Sequence, residues 1–217
     1  MATYEILQDE GMNYVRITIE DETVRAESGA LSYLRGDISV DAGIPSIRQY
    51  YRALLSNESV VRPAYTGTGV IFLEATYSGY HYLDLEDEAW IVQGGAYWAS
   101  DGNVELTVKR EPMWTSIRAG EGIWDYATKV SGRGRVVLNA PGPVKELAIT
   151  GERVAVSGRI VLARTDGVSY RVHRVTRSRL SHYLAGEGLA RIYEGEGRVL
   201  VSAVPYWRHA LWKDALQ

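Results

Sequence analysis

One pattern occurs three times in the chain, as Gly67-Thr-Gly-Val-Ile-Phe-Leu-Glu-Ala75, Gly132-Arg-Gly-Arg-Val-Val-Leu-Asn-Ala140 and Gly195-Glu-Gly-Arg-Val-Leu-Val-Ser-Ala203. Each copy reads Gly-x-Gly-x, three apolar residues, one polar residue and Ala. The second copy begins 65 residues after the first, and the third begins 63 residues after the second. A nearly constant period of this length indicates one structural unit used three times.

Further markers keep the same phase. An acidic or glycine-rich turn precedes each copy at Glu22, Glu88 and Glu152, and a second glycine turn follows at Gly29, Gly95 and Gly158. Between the second glycine turn and the Gly-x-Gly motif, the second and third copies carry Ala-Gly-Glu-Gly, beginning at Ala119 and Ala185. The first copy has the degenerate Asn57-Glu-Ser59 there. The whole unit therefore repeats, and not only the glycine motif.

Most of each unit is expected to be strand. Asn13–Ile19 alternates apolar and polar residues, as a half-buried strand does, whereas the apolar runs after each Gly-x-Gly predict strands covered on both faces. The Gly-x-Gly motifs themselves are interpreted as turns or bulges. Short helices are expected at 47–55, 112–117 and 177–184. We expect the N-terminal strand, 13–19, to pack beside the third copy and close the set.

These expectations define an all-β protein with three tandem β repeats, at about 14–79, 80–142 and 143–206, within a single domain. The predicted arrangement is a pseudo-threefold β-sandwich or double-stranded β-helix with short connecting helices. The C-terminal tail, 207–217, has a helical apolar stripe and is expected to cap its own chain, or to dock on a neighbour or a membrane surface.

Composition excludes several kinds of site. The chain has 217 residues, a formal net charge of −3 and no cysteine. Disulfides, thiolate nucleophiles and cysteine metal sites are therefore absent, and the charge is unfavourable for general binding to a phosphate backbone. The N-terminus has no signal-peptide or presequence character, and no apolar run is long enough to span a bilayer. We therefore expect a cytoplasmic protein.

The ordered markers resemble the family named for altered inheritance of mitochondria protein 24. The resemblance rests on Glu27-Ser-Gly-Ala-Leu31, Ala119-Gly-Glu-Gly-Ile-Trp124 and Ala185-Gly-Glu-Gly-Leu-Ala190, together with the Gly-x-Gly motifs at 132 and 195. It implies a fold similar to the trp RNA-binding attenuation protein, with three β copies. It implies no enzymatic activity and no cofactor. Eukaryotic members are mitochondrial, and this shorter chain resembles a prokaryotic member.

Three carboxylates are candidates for a metal site. Glu58, Glu121 and Glu187 occupy equivalent turns, so a threefold fold would place them on a ring, where their oxygens could bind Ca²⁺ or Mg²⁺. The alternative, which we favour, is that each is a solvated residue in a turn. We therefore assign no metal site.

Other catalytic or phosphate-binding motifs are missing. The Gly-x-Gly segments are followed by strands, so they lack the helix N-terminus of a phosphate loop. The four histidines have no metal-ligand spacing, and no Gly-x-Ser-x-Gly elbow occurs. We therefore expect no catalytic residues.

Aromatic and arginine residues give the best candidates for a binding surface. The chain has 15 Tyr and 6 Trp but only 1 Phe, and amphipathic rings of this kind suit interfaces. The aromatic candidates are Tyr77, Tyr80, Tyr82, Trp114 and Trp124, and the basic candidates are Arg171, Arg174, Arg177 and Arg179. The favoured alternative is core packing for the aromatic residues and a solvated face for the arginines.

The sequence therefore predicts a non-enzymatic, self-associating scaffold or binding protein. We expect a homo-oligomer with a possible protein partner and no cofactor. One alternative is a protein that binds RNA or anionic lipid through the arginine and aromatic residues. Another is a metal-dependent enzyme of the double-stranded β-helix type.

Overall fold

Every regular element that the structure describes is a β-strand. The structure is a computed structural model that describes residues 2–42, 62–110, 126–157, 160–174 and 189–202. Within these ranges the strands join in one antiparallel sheet, so the all-β prediction is confirmed. None of these ranges contains a helix able to cross a membrane. The predicted short helices and the C-terminal tail lie outside the described residues.

The structure describes thirteen strands. They are β1 (Thr3–Asp9), β2 (Met12–Ala26), β3 (Leu31–Asp41), β4 (Ala64–Leu73), β5 (Gly79–Val92), β6 (Tyr97–Asp101), β7 (Glu105–Arg110), β8 (Tyr126–Ala140), β9 (Val144–Thr150), β10 (Val154–Ser157), β11 (Val161–Thr165), β12 (Val168–Arg174) and β13 (Leu189–Ser202).

Three strands, β4, β8 and β13, are each central to a group of strands. In the first group β4 lies between β2 and β3. In the second, β8 pairs with β5 on one side and with β6 and β7 on the other. In the third, β13 pairs with β9 and β10 and also with β11 and β12. We call these the first, second and third strand groups.

The Gly-x-Gly motifs lie inside the central strands, so the turn alternative of the prediction is wrong, whereas register shifts typical of bulges lie opposite the motifs of β4 and β8. Gly67 and Gly195 both have positive φ, of 139° and 125°. A Cβ at Gly67 would lie 2.1 Å from the Asp37 carbonyl oxygen, and one at Gly195 would lie 2.4 Å from the Gly167 carbonyl oxygen. Glycine is needed because the neighbouring backbone passes too closely for a side chain.

The strands facing these glycines are interrupted at corresponding points. Asp21 in β2 and Asp87 in β5 have positive φ, of 54° and 63°, and lie in register shifts against β4 and β8. Gly151, with φ of 88°, separates β9 from β10. The predicted turns at Glu22, Glu88 and Glu152 thus follow a bulge or a break within one long strand path.

The N-terminal strand does not lie where we expected it. Residues 13–19 belong to β2, which pairs with β1, β4 and β6. The expected packing beside the third copy is therefore wrong, because β2 is an integral strand of the first group. The main path of the described sheet runs in the order β10-β13-β11-β5-β8-β6-β2-β4-β3, with β10 and β3 at its two ends, while β1, β7, β9 and β12 lie off this path and each pair with one strand of it.

The buried apolar side chains form three clusters. One contains Ile17 and Ile71 of the first group, one contains Trp90 and Leu138 of the second, and one contains Ile149 and Tyr193 of the third. The clusters also take side chains from the following group: Val137 of β8 belongs to the first cluster. Burial of this apolar area is the main driving force that holds each group to the next.

Candidate interaction surface

The outer face of the first strand group carries a row of aromatic side chains. Tyr33 of β3 lies opposite Phe72 of β4, and their rings stack with centroids 4.4 Å apart and planes inclined by 14°. The ring of Tyr14 in β2 lies 6.3 Å from that of Phe72. Leu7 of β1 lies opposite Tyr14 and extends the row from β2 onto the neighbouring strand β1. We call Leu7, Tyr14, Phe72 and Tyr33 the aromatic row.

Strong exposure of large apolar side chains is confined to this part of the described chain. Tyr33 is 55% exposed, Val40 is 49% exposed and Tyr77 is 66% exposed. Tyr33 and Val40 both belong to β3, and Tyr77 follows β4. Of these three, Tyr33 is the one that stacks on another aromatic ring of the sheet, and exposed Tyr side chains of this kind are typical of an interaction surface.

Corresponding residues in the other two groups are buried. Ala99 lies opposite Val137 in the second group, as Ala163 lies opposite Leu200 in the third. All four are at most 1% exposed. Each pair packs into the core of the preceding group. The equivalent pair of the first group, Tyr33 and Phe72, forms part of the aromatic row instead.

The predicted tyrosines have different environments. Tyr77 is exposed, as a binding residue would be. The Tyr80 hydroxyl donates to the Glu74 carbonyl oxygen at 2.8 Å, and its ring lies 6.0 Å from that of Trp98. The Tyr82 hydroxyl donates to the Tyr4 carbonyl oxygen at 3.1 Å, and the Arg135 guanidinium covers its ring. Tyr80 and Tyr82 thus contribute to packing between the first and second groups.

The predicted arginine run is described only in part. Arg171 in β12 is exposed and forms an ion pair with Glu194 of β13. Arg153 also contacts Glu194, at 3.4 Å. Arg174 is the last residue of β12. The remaining candidates, Arg177, Arg179, Trp114, Trp124 and the carboxylates Glu58, Glu121 and Glu187, lie outside the described residues.

The described ranges contain no group of three His, Asp or Glu side chains arranged to hold a metal ion. Buried polar side chains in these ranges form hydrogen bonds between strands. The Tyr4 hydroxyl donates to Asp101 Oδ1 at 2.9 Å, and the Arg135 backbone N–H donates to Oδ2 at 2.7 Å. Burial, together with the adjacent Asp101 carboxylate, raises the pKa of Tyr4 far above its usual range. Tyr4 therefore stays protonated and links β1 to β6.

A second polar contact links the first and second groups through Arg62, which lies just before β4. Arg62 Nη2 donates to Thr128 Oγ1 at 2.8 Å, and its Nε lies 3.3 Å from Glu27 Oε2. The guanidinium also lies over the Tyr97 ring, 4.7 Å from its centroid. These buried partners compensate for the loss of water around the charge.

Asp166 joins the second and third groups. It lies in the turn between β11 and β12, where Lys109 of β7 and Lys129 of β8 each approach its carboxylate at 2.6 Å. The hydrogen bonds from these two lysines lower the pKa of Asp166 to about 2. The carboxylate therefore remains charged throughout the neutral range, and this exposed cluster orients the turn.

Sequence reasoning did not select the residues of the aromatic row. Phe72 is part of a continuous apolar run, Ile71-Phe-Leu73, which predicts a strand covered on both faces. That prediction is confirmed for Val136–Leu138 and Val199–Val201, which are buried throughout. In the first group only Ile71 and Leu73 are buried. The sequence does contain one signal for this difference, because the first run has Phe72 at the position where the other two runs have the smaller Val137 and Leu200.

Comparison with known proteins shows relatives in bacteria. A curated uncharacterized protein of Streptococcus pyogenes serotype M6 is 21% identical over 156 residues, which make up 70% of this chain and 62% of that protein. The chain thus matches somewhat less than two thirds of the length of this relative.

A crystal structure of a Streptococcus pyogenes protein has the same fold. It superposes with a TM-score of 0.73 at 18% identity, and the superposition covers 100% of both chains. The family model described as mitochondrial biogenesis AIM24 matches residues 4–204, which include all the described strands except the first residue of β1. The chain therefore belongs to the mitochondrial biogenesis AIM24 family, as a member of the prokaryotic type.

Proposed function

We propose that this chain is a non-enzymatic scaffold or binding protein that associates with further copies of itself. In this proposal it consists of three β repeats in a pseudo-threefold arrangement similar to that of the trp RNA-binding attenuation protein. The observation that carries the proposal is the aromatic row, in which Tyr33 is exposed and Phe72 is half-buried, because the corresponding positions of the other two groups are buried between groups.

The strand pairings support the threefold repeat. Each group begins with a long strand path that has one interruption, namely β2, β5, or β9 with β10. After a turn comes β3, the pair β6 and β7, or the pair β11 and β12. The central strand follows last and pairs with the strands on both sides of that turn. The positive-φ residues Asp21, Asp87 and Gly151 fall 66 and 64 residues apart. This spacing matches the sequence period within one or two residues.

The chemistry of the aromatic row supports self-association. Tyrosine and phenylalanine contribute large contact areas while losing little side-chain entropy, and Tyr is enriched among residues that dominate interface energies. Phe72 and Tyr14 are only half-buried, and Tyr33 covers one face of Phe72. A second copy placed over the row would remove this apolar surface from water, which is favourable.

Light scattering on the purified chain tests the proposal. We expect a mass that is a multiple of 24.2 kDa at micromolar concentration. Tyr33→Lys should weaken association by more than about tenfold, because a Tyr that serves as a hot spot of an interface contributes about 2 kcal/mol or more. Tyr77→Lys is the matched control, since Tyr77 is at least as exposed but lies outside the aromatic row. A chain that remains monomeric at every concentration tested would exclude self-association.

A further inference from the structure

Neighbouring strand groups are joined by one kind of pairing, which occurs twice. Residues 24–26, late in β2, pair with residues 99–101 in β6. Residues 90–92, at the end of β5, pair with residues 163–165 in β11. In each case the end of the long strand path of one group is hydrogen-bonded to the first strand after the turn in the next group.

The two pairings occupy the same position in their groups. On its other side, Val24 lies opposite Tyr65, which is two residues before Gly67. Trp90 likewise lies opposite Val130, which is two residues before Gly132. Val154 of β10 lies opposite Tyr193, which is likewise two residues before Gly195. Val154 is therefore the residue of the third group that corresponds to Val24 and Trp90.

Two positions that complement each other lack such a pairing within the described residues, although β1, β7, β9 and β12 also pair with a single strand. In the described sheet β10 pairs with β13 alone, and β3 pairs with β4 alone. The five residues of β6 and the five residues of β11 are mostly buried. The first five residues of β3, which occupy the corresponding place, are half-buried or exposed. Among the described residues, no strand pairs with β10 as β6 and β11 pair with β2 and β5, and no strand pairs with β3 as β2 and β5 pair with β6 and β11.

We propose that the β3 edge receives the β10 strand of a second copy of this chain. The pairing would continue the strand order from one copy to the next, as β2 continues to β6 and β5 to β11 within the chain. It would place Val154 and Val156 opposite Arg35 and Tyr33, beside the aromatic row. This inference rests on the proposed self-association and names the surfaces that form it.

The contact is head-to-tail, because each copy contributes β10 at one end and β3 at the other. Such an interface joins two different surfaces, so it produces a ring when its rotation closes and a filament when it does not. Main-chain hydrogen bonds along an added strand provide affinity, while the side chains beside them provide specificity.

The register can be tested with cysteine pairs, because the natural chain contains no cysteine. The Gly102 N–H donates to the Thr23 carbonyl and the Glu27 N–H donates to the Trp98 carbonyl. The pairs 24–101 and 26–99 are therefore non-hydrogen-bonded pairs, with the side chains close together. The corresponding intermolecular pairs are 154–35 and 156–33, which have a Cα separation compatible with a disulfide.

The experiment mixes two single variants, Val154→Cys and Arg35→Cys, under mild oxidation. We expect a disulfide-linked heterodimer to form several times faster than with the control mixture of Val154→Cys and Ser39→Cys. Ser39 is also on β3, but lies roughly 13 Å farther along the strand. A chain carrying both Val154→Cys and Arg35→Cys should form covalent oligomers. Should either variant fail to fold by circular dichroism, Ala155→Cys with Leu34→Cys, which corresponds to the pair 25–100, tests the same register and keeps Tyr33.

The outcomes separate this inference from the proposed function. Oligomers by light scattering with no cross-link above the Ser39→Cys control would overturn the β10–β3 contact and leave self-association intact. A monomer would exclude both. A cross-link that forms only within single chains of the double variant would also overturn the inference, because it would show that β10 closes on its own β3.

Discussion

At the residue scale, burial determines what each polar side chain can do. Asp101 is 6% exposed, and both of its carboxylate oxygens accept hydrogen bonds, from the Tyr4 hydroxyl and the Arg135 backbone N–H. Tyr4→Phe would remove one donor and leave a buried oxygen without it. We expect unfolding free energy to fall by about 1–3 kcal/mol, measured by urea denaturation.

The matched control for this substitution is Tyr80→Phe. The Tyr80 hydroxyl donates to the exposed carbonyl oxygen of Glu74, which water can satisfy instead. The loss should therefore stay below about 1 kcal/mol. Equal losses in the two variants would contradict the view that Tyr4 and Asp101 form a buried link between β1 and β6.

The sequence predicts residue types better than it predicts residue environments. It marks tyrosines as interface candidates, and Tyr77 is indeed exposed. It cannot separate Tyr77 from Tyr80 and Tyr82, because exposure depends on which strands cover each side chain. Tyr33 was missed for the same reason, since its environment is set by the absence of a described strand on one side of β3.

At the element scale, the first and third Gly-x-Gly motifs lie where the backbone of a neighbouring strand or turn approaches closely. Gly195→Ala would place a Cβ 2.4 Å from the Gly167 carbonyl oxygen, at a backbone φ of 125°. Overpacking and backbone strain together should destabilise the fold by about 3 kcal/mol or more. Gly29→Ala, where φ is 80° but no atom lies within 4 Å, should lose only about 1–2 kcal/mol. Thermal unfolding of the two variants would contradict this explanation if their midpoints fell equally.

Strand existence was predictable from the sequence, but strand continuity was not. Alternation in Asn13–Ile19 and the apolar runs after each Gly-x-Gly indicate strands, and each lies within one. Glycine pairs normally suggest turns. Here they lie inside β4, β8 and β13, because long-range pairing on both sides keeps the chain extended through them. Local patterns contain no information about such distant neighbours.

At the scale of the whole molecule, the period of the sequence predicts three units, which stays a proposal, and it does not predict how the strands connect. The N-terminal strand was expected to close the set, and it instead pairs within the first group and with the second. The described sheet therefore ends at β10 and β3. Edges of this kind readily pair with other strands. The central claim is that the β3 edge is completed by another copy of the chain.

Hydrogen exchange of the β3 amides, followed by mass spectrometry as a function of protein concentration, tests this claim most directly. We expect the 31–41 segment to become protected as concentration rises, because the amides on its outer edge gain hydrogen bonds from a second copy. The 97–101 segment of β6, which already pairs on both sides, should exchange at a constant slow rate. Exchange in 31–41 that is the same at all concentrations would contradict the account.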